Sequence, residues 1–234
     1  MTKIATTLQN GLKFPLLGLG TYKIIDDGEN IFKRAIELGY THIDTAKMYE
    51  NEHELGKVFE KYPSLRKKVF LTTKIDTAEL HPGKIVPALK KQLESLKTDY
   101  VDLYLCHTPW SANKEGEPEP NHDLLDIWAD MEKCVELGLA KSIGVSNFSE
   151  TQVERLVKNC KIQPPQVNQI ECHPWFNQRE LIDHHKKLNV HVSAFTCLGR
   201  GTRLELDGKR VELLSDPVLQ KIAEKHWPGN SKSL

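Results

Sequence analysis

The sequence lacks any excess of charge of one sign. Its 234 residues contain 32 lysine and arginine residues against 32 aspartate and glutamate residues, so the formal net charge at pH 7 is zero. Such a chain has no overall field that would attract nucleic acid or an anionic membrane. No apolar run approaches the ~18 residues that a transmembrane helix needs, and the first residues lack the apolar stretch of a signal peptide. We therefore expect a cytoplasmic protein with no nucleic-acid or membrane partner.

Paired cysteines and metal-binding histidine motifs are also absent from the sequence. The five cysteines stand singly, without a C-x-x-C pair, and the ten histidines lack the H-E-x-x-H spacing of a helical zinc site. We expect reduced thiols, no disulfide framework and no metal. The glycine motifs of nucleotide-binding proteins are incomplete, because neither Gly18 with Gly20 nor Gly199 with Gly201 is followed by the third glycine of the dinucleotide fingerprint.

What the sequence does contain is a regular alternation of short apolar runs with amphipathic segments of helical period. The alternation predicts strands at 16–22, 41–46, 69–75, 101–107, 141–147, 166–173 and 190–198. Successive βα units of this kind are typical of a parallel barrel. The runs at 69–73, 101–105 and 190–195 are almost continuously apolar, which predicts strands covered on both faces.

The remaining segments predict a hairpin and two irregular loops. Asn10 and Gly11 lie between short β-prone stretches and suit a two-residue type I′ turn, so a hairpin is expected before the first parallel strand. Residues 108–122 and 198–210 are predicted to be irregular, and the first of these would lie at the rim where barrel enzymes place their active sites. Without a linker or a low-complexity segment, we predict one domain over residues 1–234.

Four chemically active side chains follow the ends of three consecutive predicted strands. Asp44 ends the second strand and Tyr49 follows it, Lys74 ends the third, and His107 ends the fourth. Each has an ordinary alternative: a helix or loop cap, an amphipathic packing residue, a lysine leaving the core, or a rim histidine. Their combination at one rim of a barrel indicates a catalytic site.

Five motifs around these residues resemble the aldo-keto reductase superfamily. In chain order they are GYTHIDTAKMYENEHELG at 39–56, VFLTTKI at 69–75, DLYLCHTP at 102–109, IGVSNF at 143–148 and VNQIECHP at 167–174. The similarity extends from about residue 8 to about residue 226. It implies an α/β fold, a (β/α)8 TIM-barrel type with an N-terminal hairpin. It also implies a usually monomeric enzyme that reduces small aldehydes and ketones with NADPH.

The resemblance also implies roles for the four rim residues. Tyr49 would be the general acid that protonates the carbonyl oxygen, although a tyrosine is a weak acid unaided, with an ordinary pKa of about 10. The ammonium of Lys74 would favour loss of the phenolic proton, and Asp44 would hold Lys74 in place. His107 would orient the carbonyl oxygen or assist the proton transfer.

Further positions match the family's cofactor and substrate contacts. Phe195 stands where the family usually has a tyrosine that stacks on the nicotinamide, and Tyr22 and Trp110 would supply walls for the substrate. Ser146, Asn147 and Gln169 would bind the carboxamide, and Thr196 and Leu198 would lie near the pyrophosphate. The predicted cofactor-binding set is Gly20, Thr21, Ser146, Asn147, Gln169, Phe195, Thr196 and Leu198.

The pattern departs from the family at its C-terminal end. Seven strands are predicted rather than eight, a helix is predicted at 215–226, and the last residues, WPGNSKSL, predict neither strand nor helix. We therefore expect the eighth strand, the loop that grips the 2′-phosphate of NADPH, and the C-terminal tail to be missing. Open sheet edges would then allow self-association. The alternatives to an active reductase are a truncated, catalytically impaired isoform and a non-catalytic binding or regulatory relative.

Overall fold

The computed structural model describes residues 4–113, 115–119, 122–199, 204–206 and 209–226. Within it the chain forms two compact units. The first comprises Met1–Gln169 and Glu180–Ser193, and the second comprises Ile170–Arg179 and Ala194–Leu234. The single domain expected over the whole chain therefore remains a prediction.

The main element is a parallel sheet whose strands follow one another in chain order. The order is β3-β4-β5-β6-β7-β8-β9, and each pair from β3 to β8 is parallel. The strands are β3 Leu19–Gly20, β4 His42–Asp44, β5 Phe70–Ile75, β6 Val101–Cys106, β7 Ala140–Ser146, β8 Val167–Glu171 and β9 His191–Phe195. In the part of the chain that the structure describes, no strand pairs with the outer edges of β3 and β9. The predicted α/β fold of the TIM-barrel type is confirmed.

Helices connect most of the strands, as their periodicity predicts. In chain order they are α1 Gly28–Glu37, α2 Glu52–Lys61, α3 Pro63–Arg66, α4 Ile85–Leu96, α5 Leu124–Glu136, α6 Glu150–Asn159, α7 Arg179–Lys187 and α8 Pro217–His226. Their ends carry the expected signals. A capping box of Ser149 and Gln152 begins α6, and Gly39, with φ of 102°, follows the end of α1. No helix in the described ranges is long and apolar enough to span a membrane.

The N-terminal hairpin is confirmed, but its predicted turn type is wrong. Strands β1 Ala5–Thr7 and β2 Lys13–Pro15 pair antiparallel, with Thr7 opposite Lys13, so five residues connect them. A type I′ turn needs positive φ at both central residues, and only Gly11 has it, at 87°.

Tertiary hydrogen bonds of Asn10 explain this difference. Its backbone N–H donates to Gln166 Oε1 at 2.9 Å, and its side-chain Nδ2 donates to Ser142 Oγ at 2.6 Å. The loop is therefore shaped by contacts with residues more than 130 positions away, which a local turn rule does not include.

The central strands β5 and β6 are buried, whereas the last strand of the sheet, β9, is not. Every residue of β5 and β6 is buried, as their apolar runs predict. For β9 the prediction of coverage on both faces is wrong, because none of its residues is buried and Ala194 is exposed. Its place at the end of the sheet order accounts for this exposure.

The second unit contains regular structure where an irregular loop was expected. In and directly after this segment, β10 Leu204–Leu206 pairs antiparallel with β11 Lys209–Val211. The intervening Asp207 and Gly208 lie outside the described residues. The helix expected at 215–226 is confirmed as α8, and the eight residues after it lie outside the description.

Candidate active site

A buried ion pair lies at the ends of the adjacent strands β4 and β5. The Lys74 side chain is only 1% exposed, and its ammonium forms a hydrogen-bonded ion pair with the Asp44 carboxylate. It also donates to the backbone carbonyl oxygen of Thr45 at 3.0 Å. A charge so deeply buried is stable only when it is paired and hydrogen-bonded. The parallel register, which places Asp44 opposite Thr72, brings the two strand ends together.

Tyr49 is the third member of this cluster. It ends a single 3-10 turn, Lys47–Tyr49, directly after β4, and the chain then reverses through Glu50 with φ of 57°. The Lys74 ammonium donates to Tyr49 Oη at 3.3 Å. The ring of Tyr22 packs beside that of Tyr49, with 5.1 Å between centroids. The structure therefore joins Asp44, Lys74 and Tyr49 in one continuous hydrogen-bonded group.

The electrostatics of Lys74 favour its charged form. Burial alone would lower the pKa of the ammonium, but the attraction of Asp44 and of the Tyr49 oxygen outweighs it and raises the pKa of Lys74 above its ordinary value. Lys74 is therefore a permanent cation at neutral pH. Its positive charge is held within hydrogen-bonding distance of the phenolic oxygen.

His107 follows β6 and lies next to Tyr49. The two ring centroids are 5.9 Å apart at an angle of 78°. Burial, together with the nearby positive charge of Lys74, lowers the pKa of His107 to about 4. The imidazole is therefore neutral at pH 7. Its Nδ1 is buried without a hydrogen-bond partner among the described residues, which marks it as a group able to accept or donate a further hydrogen bond.

Three predicted cofactor residues meet at the ends of β7 and β8. Ser146 Oγ donates to the backbone oxygen of Gln169 at 2.8 Å, and the Asn147 backbone N–H donates to the same oxygen at 3.0 Å. Asn147 has φ of 64°, a left-handed conformation that asparagine tolerates better than most residues. Its Nδ2 donates to the backbone oxygen of His107 at 2.9 Å. These contacts fix the strand ends next to His107.

Gln169 makes a contact that the sequence did not predict. Its Nε2 donates to Asp44 Oδ2 at 2.7 Å, so the carboxylate is held by Lys74 on one oxygen and by Gln169 on the other. The two residues are 125 positions apart. The end of β8 is thereby connected directly to the ion pair.

Asn51 organises the loop after β3 and was not predicted from the sequence. Its Nδ2 donates to the backbone oxygens of Thr21, at 2.7 Å, and Ile24, at 3.0 Å. Its place immediately before α2 would have suggested a helix cap, yet its side chain makes no capping hydrogen bond. Among the predicted contacts in this loop, Thr21 is fully buried, whereas Gly20 and Tyr22 are exposed.

The other predicted site residues are placed as follows. Trp110, in the loop after β6, is 40% exposed, and Thr108 Oγ1 donates to its backbone oxygen. In the second unit, Phe195 ends β9 and its backbone oxygen accepts from Cys172 N at 3.3 Å. Thr196 has φ of 57°, and Leu198 is 63% exposed. The predicted cofactor contacts of these last three residues remain predictions.

Comparisons with known proteins identify the family. The model of the Aldo/keto reductase family matches residues 17–227. Aldo-keto reductase family 1 member A1 of Gallus gallus is 39% identical, over 94% of this chain and 72% of its own length. Aldo-keto reductase family 1 member C4 of Macaca fascicularis is 38% identical, over 94% and 74%. The chain therefore belongs to the aldo/keto reductase family, and this membership indicates that it is an oxidoreductase.

A solved structure agrees with this assignment. The crystal structure of a Bombyx mori aldo-keto reductase in complex with NADP superposes with a TM-score of 0.87 at 35% identity, and the match covers 97% of this chain and 76% of that one. The fold is thus that of the family.

Proposed function

We propose that the protein reduces aldehydes or ketones to alcohols with NADPH, and that Tyr49 is the general acid. The observation that carries this proposal is the Lys74 ammonium, which contacts both the Asp44 carboxylate and the Tyr49 hydroxyl. Family membership supports the general reaction, and the Bombyx mori relative supports the choice of cofactor.

The residues of the cluster match the needs of carbonyl reduction. A carbonyl that accepts hydride becomes an alkoxide, so the site must provide a proton and stabilise negative charge. Tyr49 donates its phenolic proton to the carbonyl oxygen, and the permanent positive charge of Lys74 stabilises the phenolate that remains. Asp44 keeps Lys74 in place. His107, which is neutral at pH 7, orients the carbonyl oxygen through a hydrogen bond from its ring.

The residues at the ends of β7 and β8 suit the nicotinamide carboxamide. When bound, NADPH supplies the hydride. Asn147 and Gln169 use their side-chain nitrogens on His107 O and Asp44, which leaves their side-chain oxygens as acceptors for amide protons. Ser146 is buried, and its hydroxyl donates a hydrogen bond to the backbone oxygen of Gln169. This set would hold an amide group in one orientation.

A tyrosine-to-phenylalanine exchange tests the acid role. We expect Tyr49→Phe to lower kcat for aldehyde reduction by about 100-fold or more, because phenylalanine has no hydroxyl proton to give to the carbonyl oxygen. The Kd for NADPH, measured by fluorescence titration, should stay unchanged. The matched control is Tyr100→Phe, since the Tyr100 ring stacks on Arg66 at 4.4 Å and is not part of the cluster.

Two outcomes separate the alternatives. Retained turnover in Tyr49→Phe would remove Tyr49 from the acid role. A wild-type chain that melts cooperatively but does not bind NADPH would contradict the proposed reaction and favour a binding or regulatory protein.

A further inference from the structure

We propose that Gln92 is a positioning residue for Lys74, acting from the helix layer behind β5. This inference rests on the proposed function, since it concerns how the cation beside Tyr49 is held. Gln92 lies on α4 and is only 1% exposed. The other buried residues of that helix are apolar: Ile85, Ala88, Leu89, Leu93 and Leu96. A lone amide on an apolar face opposes the local pattern, and such conflicts concentrate at functional sites.

The Gln92 amide contacts the backbone of Lys74 directly. Its Nε2 donates to the Lys74 carbonyl oxygen at 3.1 Å and to Glu52 Oε1 at 3.0 Å, and its Oε1 accepts from Tyr104 Oη at 2.9 Å. The groups around the nitrogen, Glu52 Oε1, the Lys74 carbonyl oxygen and Thr73 Oγ1, all accept hydrogen bonds, so the orientation of the amide is determined by its surroundings. Gln92 thus joins α4, α2, β5 and β6 at one point.

Thr73 extends this contact to the residue before Lys74. Thr73 Oγ1 donates to Glu52 Oε1 at 2.6 Å and lies 3.0 Å from Gln92 Nε2. Glu52 is itself only 4% exposed. Burial raises the pKa of its carboxyl group, and the hydrogen bonds from Thr73 and Gln92 oppose that rise. The buried Glu52 carboxyl group therefore accepts hydrogen bonds from both Thr73 and Gln92.

The alternation of side chains along a strand explains the consequence for the active site. Thr73 points to the helix layer, so Lys74 points to the opposite face of the sheet, where it meets Asp44 and Tyr49. The buried cluster therefore holds β5 at the Thr73 side chain and at the Lys74 carbonyl, on the far side from the ammonium. Displacements of about 1 Å in a catalytic group can reduce rates by 100-fold.

The test replaces the amide by an apolar side chain of similar length. We expect Gln92→Met to lower kcat for aldehyde reduction by about 10- to 100-fold while the Kd for NADPH stays unchanged. The matched control is Trp128→Phe, which removes another buried hydrogen bond, from Trp128 Nε1 to Gln163 O, on α5. A purely structural role for Gln92 predicts the same small change of kcat in both variants, and that result would overturn the inference.

A second variant and a spectroscopic readout keep the test decisive. Tyr104→Phe preserves volume and removes only the donor to Gln92 Oε1, so it tests the cluster even where Gln92→Met folds poorly. In 15N-lysine-labelled protein, the resonance of the Lys74 ammonium should shift in Gln92→Met and Tyr104→Phe but not in Trp128→Phe. An unchanged resonance with wild-type kcat in both cluster variants would overturn the proposal. A wild-type chain without reductase activity would refute the proposed function but not the positioning role of Gln92. In that case the Lys74 resonance in Gln92→Met and Tyr104→Phe, compared with wild type, would test the positioning role by itself.

Discussion

Lys74 illustrates how single residues in this protein are fixed by the groups around them. Its ammonium is almost inaccessible to water, and removal of one partner from such a buried pair leaves an uncompensated charge that typically costs about 3–5 kcal/mol. The Asp44 carboxylate is held in turn by Gln169. The same contacts that stabilise the charge also place it next to the Tyr49 oxygen, so stability and chemistry depend on one arrangement.

The neutral state of His107 leads to a prediction about stability and pH. The folded imidazole takes up a proton only near pH 4, whereas the unfolded one does so near 6.5, so the unfolded state binds more protons in between. The stability that the neutral His107 contributes is therefore fully present above about pH 6.5 and is lost as the pH falls towards 4. Between pH 7.5 and 5, we expect wild type to lose about 2 kcal/mol more free energy of unfolding than His107→Gln, measured by urea denaturation at each pH.

The comparison with a second variant isolates this effect from the other histidines. His53→Gln, which replaces an exposed histidine, is the control for the loss of a histidine as such. Equal pH dependence in wild type and His107→Gln would mean that His107 is not the neutral, buried group described above.

Individual site residues were predictable from the sequence where they follow a strand. Asp44, Lys74 and His107 could be placed because parallel strands end at a common edge, and an apolar run shows where a strand ends. The contacts of Gln169 with Asp44 and of Gln92 with the Lys74 carbonyl could not be predicted in this way. They join residues 125 and 18 positions apart through the packing of whole elements.

At the scale of elements, the strands at the centre of the sheet follow the local pattern and the peripheral ones do not. Every residue of strands β5 and β6 is buried because both faces of these strands are covered. Strand β9 has a similar composition but lies at the end of the sheet order, so neighbours rather than sequence set its exposure. The conformation of the turn at Asn10 is likewise set by hydrogen bonds to distant residues, Gln166 and Ser142.

The crossing of α2 and α4 depends on a glycine. A Cβ atom added at Gly56 would lie 2.0 Å from the Ser95 carbonyl oxygen, which is backbone and cannot move aside cheaply. Alanine would favour the helix by about 1 kcal/mol. We nevertheless expect Gly56→Ala to lower the free energy of unfolding by about 1–3 kcal/mol, the usual cost of overpacking, measured by urea denaturation.

An exposed position on the same helix provides the control. Glu60→Ala should change the free energy of unfolding by less than about 0.5 kcal/mol. A Gly56→Ala variant as stable as wild type would show that the two helices tolerate a wider separation than the structure indicates.

At the scale of the whole molecule, the proposed acid–base chemistry belongs to the first unit. Asp44, Tyr49, Lys74 and His107 all lie in Met1–Gln169. The chain spans 72% of the length of the Gallus gallus relative and 74% of that of the Macaca fascicularis relative.

The most direct test of the central claim is hydride transfer by the 234-residue chain itself. The protein is incubated with an aldehyde and with NADPH that carries deuterium at one or the other of the two hydrogen positions on nicotinamide C4, and the alcohol is analysed by mass spectrometry. We predict that one labelled form transfers its deuterium to the alcohol carbon and the other does not, because the proposed carboxamide contacts of Asn147 and Gln169 would present a single face of the ring. An alcohol with no deuterium from either form, made by a folded protein that binds NADPH, would contradict the account.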